Sequence, residues 1–276
     1  WNRTRSKAEP LAAAGATIVD SPDALADRDI VFTMVSTSAD LEAVVGGPHG
    51  LLSRHGRTPK VLVDCSTVSS EASAKVRAAM ARAGGAMLAA PVSGNAKVVK
   101  AGRLSIVASG PADAYALAQP YLAAVGQGVS YVGEGELART VKICHNVLLG
   151  IVAQSLAEIT VLAERAGVPR HAFLDFINKS VMGSMFTRYK TPAIVNLDFT
   201  TTFTPVLLKK DLDLGLAAAR ELSVPMPLTA ATREIVQAVV GAGYADEDFI
   251  RLLTLEAQGA GMTLAPENVA VSDGLS

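Results

Sequence analysis

Hydrophobic positions in the first half of the chain come as short continuous runs rather than in alternation with polar ones. IVFTMV at 30–35, VLVDCS at 61–66, and the stretches 86–92 and 104–108 are the strongest; 16–19 and VSYVG at 129–133 are shorter. Unbroken apolar runs of this length predict strands buried on both faces. Alanine-rich segments at helical spacing lie between them: 7–14 with Gly15 as a C-terminal cap, a turn at 22–26, then 39–45, 71–83 closed by Gly84-Gly85, and 112–124. Strands regularly separated by helices predict a doubly wound α/β domain.

The pattern changes at Gly133-Glu134-Gly135. From 137 to 166 an apolar stripe at helical spacing runs without proline, interrupted only by Gly150 and ended by Gly167 and Pro169. Only helices are predicted beyond it, at 170–179, 185–196, 205–222, 227–241 and 246–258. The tail TLAPENVAVSDGLS, 263–276, has no periodicity and is expected to be mobile. The domain boundary is placed at 135, giving domains 1–135 and 136–276 joined by the long helix. There is no internal repeat.

Length and composition narrow the function classes. The 276 residues suffice for one large or two smaller domains, half of them are apolar, and the net charge of -1 offers no footprint for nucleic acid or an anionic membrane. No apolar run is read as reaching the ~20 residues that cross a bilayer. Two cysteines, Cys65 and Cys144, and four scattered histidines show no disulfide or metal-ligand spacing. A soluble cytoplasmic protein without a metal, nucleic-acid or membrane partner is expected.

Four stretches carry candidate chemistry. In Val63-Asp64-Cys65-Ser66-Thr67 a buried strand ends in hydroxyl residues, where open α/β sheets bind ligands. Ser66 or Thr67 can touch a ligand there, or simply cap the following helix. Ala90-Pro91-Val92-Ser93-Gly94-Asn95 places a hydroxyl and freely oriented N–H groups after a strand, suited to a carboxylate or to an ordinary turn. In the third stretch, Lys142 and Asn146 are four residues apart and share a helix face, with Lys142 among apolar neighbours. A buried lysine is rare without a partner or a purpose, and desolvation lowers its pKa from about 10.4 toward the range of a general acid/base. It can equally snorkel at a domain joint. The fourth, Phe203 to Leu214 with Lys209-Lys210-Asp211, can reach a cofactor or form a solvated edge.

Taken in order, D-C-S-T, A-P-V-S-G, G-x-G-x-x-x-x-x-x-K-x-x-x-N and K-D-L resemble the β-hydroxyacid dehydrogenase family, which includes 3-hydroxyisobutyrate dehydrogenases and tartronate semialdehyde reductases. The likeness runs through LEAQGAG near the C-terminus. It implies a Rossmann-type dinucleotide-binding domain, a long interdomain helix, an all-helical dimerisation domain, and reversible NAD(P)-dependent oxidation of a small β-hydroxyacid. By the same resemblance Lys142 is the proton carrier and Asn146 helps place the substrate. Ser93 and Gly94 hold its carboxylate, with Asn95 in place of the family's usual second glycine. Thr67 and Lys210 match cofactor-contacting positions, and Val35-Ser36 matches a leucine-proline pair near the cofactor. A homodimer or homotetramer is implied.

Trp1-Asn2-Arg3-Thr4 corresponds in the family to the end of the second strand. The resemblance therefore leads one to expect a glycine-rich strand-loop-helix unit ahead of Trp1, and weak dinucleotide binding by this polypeptide without it. Asn2, Arg3 and Thr4 stand where NAD enzymes carry an acid for the ribose 2′-hydroxyl, so an arginine there favours NADP(H) over NAD(H). Two rivals stay open: a decarboxylating enzyme like 6-phosphogluconate dehydrogenase, favoured by Lys142-x-x-His145-Asn146 but opposed by Leu149 at its acid position, and a non-catalytic metabolite-binding or dimerisation protein. Imine reductases share the architecture but usually replace the lysine.

Overall fold

Strand β2 (Val61–Asp64) is buried at all four positions and forms the middle of a parallel sheet in the computed structural model, which describes residues 1–275. β1 (Ile30–Thr33) pairs with one edge of it and β3 (Ala86–Ala89) with the other, in a register that sets Thr33, Asp64 and Ala89 side by side. Side chains alternate across a strand, so β2 feeds two cores. Leu62 joins residues of α1 (Ser38–Gly46) and α2 (Ser70–Arg82), among them Leu41, Val45, Val76 and Met80. Val61 and Val63 join Ala114, Ala118 and Leu122 of α4 (Ala112–Val125). A second sheet pairs β4 (Val92–Ser93) antiparallel with β5 (Leu104–Ala108), and β5 parallel with β6 (Gly126–Tyr131). An Ala89–Ser109 bridge links the two sheets. This is a Rossmann-type α/β unit, made of Trp1–Ser93 and Gly102–Lys142.

Several expectations need correction here. Residues 16–19 form no strand and are exposed or only half-buried, with no neighbour to take their ladder hydrogen bonds. The opening helix is two 3-10 turns, Arg5–Lys7 and Glu9–Ala14, although Gly15 ends it as expected with φ +89°. The 30–35 run stops at Thr33, and Phe32 and Met34 are exposed, so β1 is not covered on both faces. Pro91, which has no N–H to give a ladder, separates β3 from β4, and the unpredicted helix α3 (Ala96–Lys100) follows.

The second unit consists of Gly94–Ala101 and Ile143–Ser276. The division thus falls inside α5 (Leu137–Arg165) and moves α3 out of the 1–135 segment in which the sequence placed it. The other helices are α6 (Arg170–Lys179), α7 (Met185–Asn196), α8 (Pro205–Glu221), α9 (Pro227–Gly241) and, after a 3-10 turn at Phe249–Arg251, α10 (Leu252–Gly259). The 246–258 segment is therefore a turn plus a shorter helix. Gly150 does not break α5. It lets Leu208 and Leu212 of α8 approach, and a Cβ at Gly215 of α8 would lie 2.4 Å from Val147. By length and composition α5 is apolar enough to cross a membrane, with a mean hydropathy of 1.7, contrary to the sequence reading. Half of that stretch is buried, and Ile143, Val147, Ala153, Leu156, Ala157 and Val161 build the core of this unit.

The tail is not loose. Glu267 accepts hydrogen bonds from the Arg170 and His171 N–H groups and meets the His171 ring at 2.8 Å, Asn196 brackets Val269, and Leu264, Val269 and Val271 pack on the core. Aperiodic sequence excluded regular structure here, but side chains satisfy the backbone instead. Burial opposes ionisation of Glu267, yet the His171 and Arg170 hydrogen bonds outweigh it and hold its carboxyl below the usual 4.5. A depressed carboxyl stabilises the fold above its unfolded pKa and loses that contribution as pH falls through the folded value. Tail amides should therefore lose hydrogen-exchange protection once the pH falls below 4.5. A Glu267→Gln variant should already be looser at neutral pH and show no acid step. Protection independent of pH in the parent protein would contradict this.

Candidate active site

The carboxyl ends of β1 and β2 are held by one buried carboxylate. Asp64 Oδ1 accepts hydrogen bonds from the Thr33 and Ser66 hydroxyls, each at 2.7 Å, and Ser66 Oγ accepts the Val35 N–H at 2.8 Å. Neither Ser66 nor Thr67 caps α2. Ser69 does, accepting from the Ala72 N–H, and Ser38 and Ser69 join the loops after the two strands. Ser66 is thus spent inside the protein and is not a ligand-facing hydroxyl, while Thr67 is half-buried. Cys65 in the same stretch is no nucleophile, since burial first and Asp64 second push its thiol up to about 12.

This edge gathers most of the sequence-predicted cofactor positions. Val35 and Ser36 follow β1, Thr67 follows β2, and Arg3 reaches Asp40 in the first turn of α1 at 3.3 Å with its side chain 84% exposed. Asn2 turns its side-chain carbonyl back to the Thr4 N–H at 2.9 Å, and Thr4 makes no side-chain cap. An exposed guanidinium beside the carboxyl edge of a parallel sheet lies where open α/β sheets bind their ligands.

Ser93 ends β4 in this same unit, half-buried. Gly94 follows with φ +139°, a conformation side chains resist, which explains a glycine there. Asn95 is otherwise engaged: its side-chain carbonyl accepts the Lys97 and Val98 N–H groups at 3.0 and 3.2 Å as the N-cap of α3. Its amide group alone is left for a ligand.

Lys142 lies in the second turn of α5 and is only 8% exposed, and Asn146 one turn on is 4% exposed, so the helix presents both on one buried face. In the second unit, Asn146 Nδ2 donates to Asp211 Oδ2 at 2.5 Å, and Lys210 pairs with the other oxygen at 3.2 Å. Asp211 is 2% exposed, so the Lys210-Asp211 pair is not a solvated edge; Lys209 takes that part, pairing with Asp213 at 3.3 Å. His145 points its Nδ1 at the side-chain oxygen Oδ1 of Asn146, 2.9 Å away. Buried charged groups, Arg139 and Lys190 among them, escaped the sequence reading. Arg139 binds Asp64, Ser66 and Ser73 from the first turn of α5, and Lys190 pairs with Asp248 beside a cavity of about 110 Å³ in the second unit. A charge on the apolar face of a predicted helix was the available signal for both. Among the described residues no cluster suited to a metal ion occurs.

Residues 1–133 match the family model described as the NAD binding domain of 6-phosphogluconate dehydrogenase. Residues 136–255 match that described as NAD-binding of NADP-dependent 3-hydroxyisobutyrate dehydrogenase. The chain is 33% identical to 2-(hydroxymethyl)glutarate dehydrogenase of Eubacterium barkeri, over 87% of this chain and 80% of that one. It is 32% identical to 3-hydroxyisobutyrate dehydrogenase of Pseudomonas aeruginosa, over 75% and 72%. A solved 3-hydroxyisobutyrate dehydrogenase of Salmonella typhimurium superposes with a TM-score of 0.83 at 27% identity, covering 92% of this chain and 89% of that one.

Proposed function

Because the chain belongs to the β-hydroxyacid dehydrogenase family, we propose that it moves a hydride between NADP(H) and a small β-hydroxyacid or its semialdehyde, with Lys142 as general acid/base. The observation that carries this reading is the pairing of a nearly buried Lys142 with Asn146 on one face of α5. The bound nicotinamide supplies the hydride acceptor or donor. Lys142 Nζ takes the proton of the substrate hydroxyl during oxidation and returns it during reduction. Asn146, its amide oriented by Asp211, holds the substrate beside it. Ser93 Oγ and the Gly94 N–H bind the carboxylate, and the Asn95 amide adds a donor. Thr67, Val35, Ser36 and Lys210 contact the dinucleotide, and Asn2 and Thr4 shape the turn that offers Arg3 to its 2′-phosphate.

Hydroxyisobutyrate, glycerate, hydroxybutyrate and succinic semialdehyde, each assayed with both cofactors, test this. Turnover of at least one with NADP(H) is expected, and turnover of 6-phosphogluconate alone would replace the reading. Arg3→Ala should raise KM for NADP(H) about tenfold while leaving NAD(H) unchanged, because a charge-assisted phosphate contact contributes roughly 1.5–3 kcal/mol when fully formed. An unchanged cofactor ratio removes Arg3 from the argument.

A homodimer or homotetramer is the proposed assembly. Leu148 and Leu162 of α5 are 60% and 70% exposed, more apolar surface than a solitary core helix leaves to water. Light scattering that finds only monomer at micromolar concentration would contradict it. Two free thiols, Cys65 and Cys144, suit the reducing cytoplasm, where we place the protein; fractionation to another compartment would overturn that.

A further inference from the structure

We propose that Arg139 is a positioning residue for the reaction, holding Lys142 and the cofactor edge of the sheet in one frame through the buried Asp64 carboxylate; this rests on the assignment of Lys142 above. Both partners are sealed from solvent, Arg139 at 1% and Asp64 at 0% side-chain exposure. A well-packed apolar pair of similar size is often as stable as a buried ion pair or more so, which makes geometry rather than stability the natural reason for one.

Arg139 spreads its planar fork over three anchors. Nη2 donates to Asp64 Oδ2, Nη1 to the Ser66 carbonyl oxygen at 2.5 Å and Nε to Ser73 Oγ of α2 at 3.1 Å. Bonds in three directions fix both the height and the rotation of the first turn of α5. A further tie, from the Ala138 N–H to Ser109 Oγ at 3.0 Å, is made by the backbone and leaves rotation less constrained. Lys142 lies three residues further along the same rigid helix, so the rotation set at Arg139 passes directly to its amine.

The second oxygen of Asp64 completes the frame. Through the Thr33 and Ser66 hydroxyls, and through Ser66 to the Val35 N–H, it sets the loops that carry Val35, Ser36 and Thr67. One carboxylate therefore references the proton-carrying amine and the cofactor-contacting loops to each other. A displacement near 1 Å between reacting groups costs about a hundredfold in rate, so this registry has a large effect without any contact to substrate.

Two Arg139 variants and a control test the proposal on the enzyme, with whichever hydroxyacid of the panel turns over fastest and saturating NADP(H). Arg139→Lys keeps the charge and loses the fork. Arg139→Gln/Asp64→Asn removes both charges together and serves if the first variant does not fold. Both should lower kcat about tenfold or more while KM for hydroxyacid and cofactor stays within threefold, a split that general loosening of the fold would not produce. A folded variant of either kind with kcat within twofold of the parent, or with losses confined to KM, overturns the proposal. Lys142→Met is the control: if it stays active, the assignment of Lys142 has failed; if it is inactive while the Arg139 variants are unimpaired, only the positioning role has.

Discussion

Replacing Lys142 by methionine is expected to lower kcat/KM about a thousandfold while the protein stays folded and still binds dinucleotide. The magnitude follows from the chemistry: a positioned general acid/base contributes typically 10²–10⁴-fold, and methionine fills the lysine's volume without a proton to exchange. Overpacking and cavities are avoided, so the loss reports on the proton step. Lys142 is only 8% exposed, and methionine is unbranched and flexible enough to fill the space its chain occupies. Steady-state kinetics with the best panel substrate, together with NADPH fluorescence titration, separate chemistry from binding. A variant that keeps most of its kcat/KM would leave the family assignment standing and remove the mechanism.

Replacing Lys190 by methionine should instead unfold the second unit at a lower temperature, with no direct bearing on chemistry. Lys190 Nζ lies 2.6 Å from Asp248 Oδ1 with side-chain exposures of 2% and 1%, donates to Thr202 Oγ1 at 2.9 Å, and stands 4.4 Å from the centre of the Phe249 ring. Burial lowers the pKa of this lysine despite the pull of Asp248. Removing the ammonium leaves a buried carboxylate without its counter-charge, which typically costs about 3–5 kcal/mol. In a unit of this size that corresponds to a fall in Tm on the order of 10 °C. The double variant Lys190→Met/Asp248→Asn should recover part of the loss, because the stranded charge is gone. Recovery stays incomplete because Asp248 Oδ1 accepts the Ile250 N–H while Oδ2 accepts the Thr202 N–H and hydroxyl, and an amide offers only one oxygen. Calorimetry that finds the single variant within 2–3 °C of the parent, roughly the effect of 1 kcal/mol, would contradict the argument.

Lys190 and Arg139 also mark where sequence reading stopped. The helices carrying them were legible, 185–196 to the residue and the long helix within one residue at its end, because helical spacing of apolar positions is a local signal. Which charged side chain on such a helix turns inward was not legible. Asp248 lies 58 residues from Lys190, and Asp64 lies 75 from Arg139. The same distance in sequence concealed the tail's anchors, since the residues that hold Glu267 stand 96 and 97 positions before it. Caps fared better: Gly15 was placed correctly, but Ser69 was passed over for its neighbours Ser66 and Thr67, which only the fold of the loop separates.

By itself the sequence determined that buried strands alternate with helices and then give way to helices alone, and that Lys142 and Asn146 share a face. Apolar periodicity and four-residue spacing are properties of the chain over one or two turns, independent of what packs against it. Only the tertiary structure decided that Ser66 and Asn95 are occupied within the protein, that Asp211 orients Asn146, and that Asp64 ties two strand ends to Arg139. A buried polar group must find its hydrogen-bond partner wherever the fold brings one within about 3 Å, and that meeting is written in no local stretch of residues.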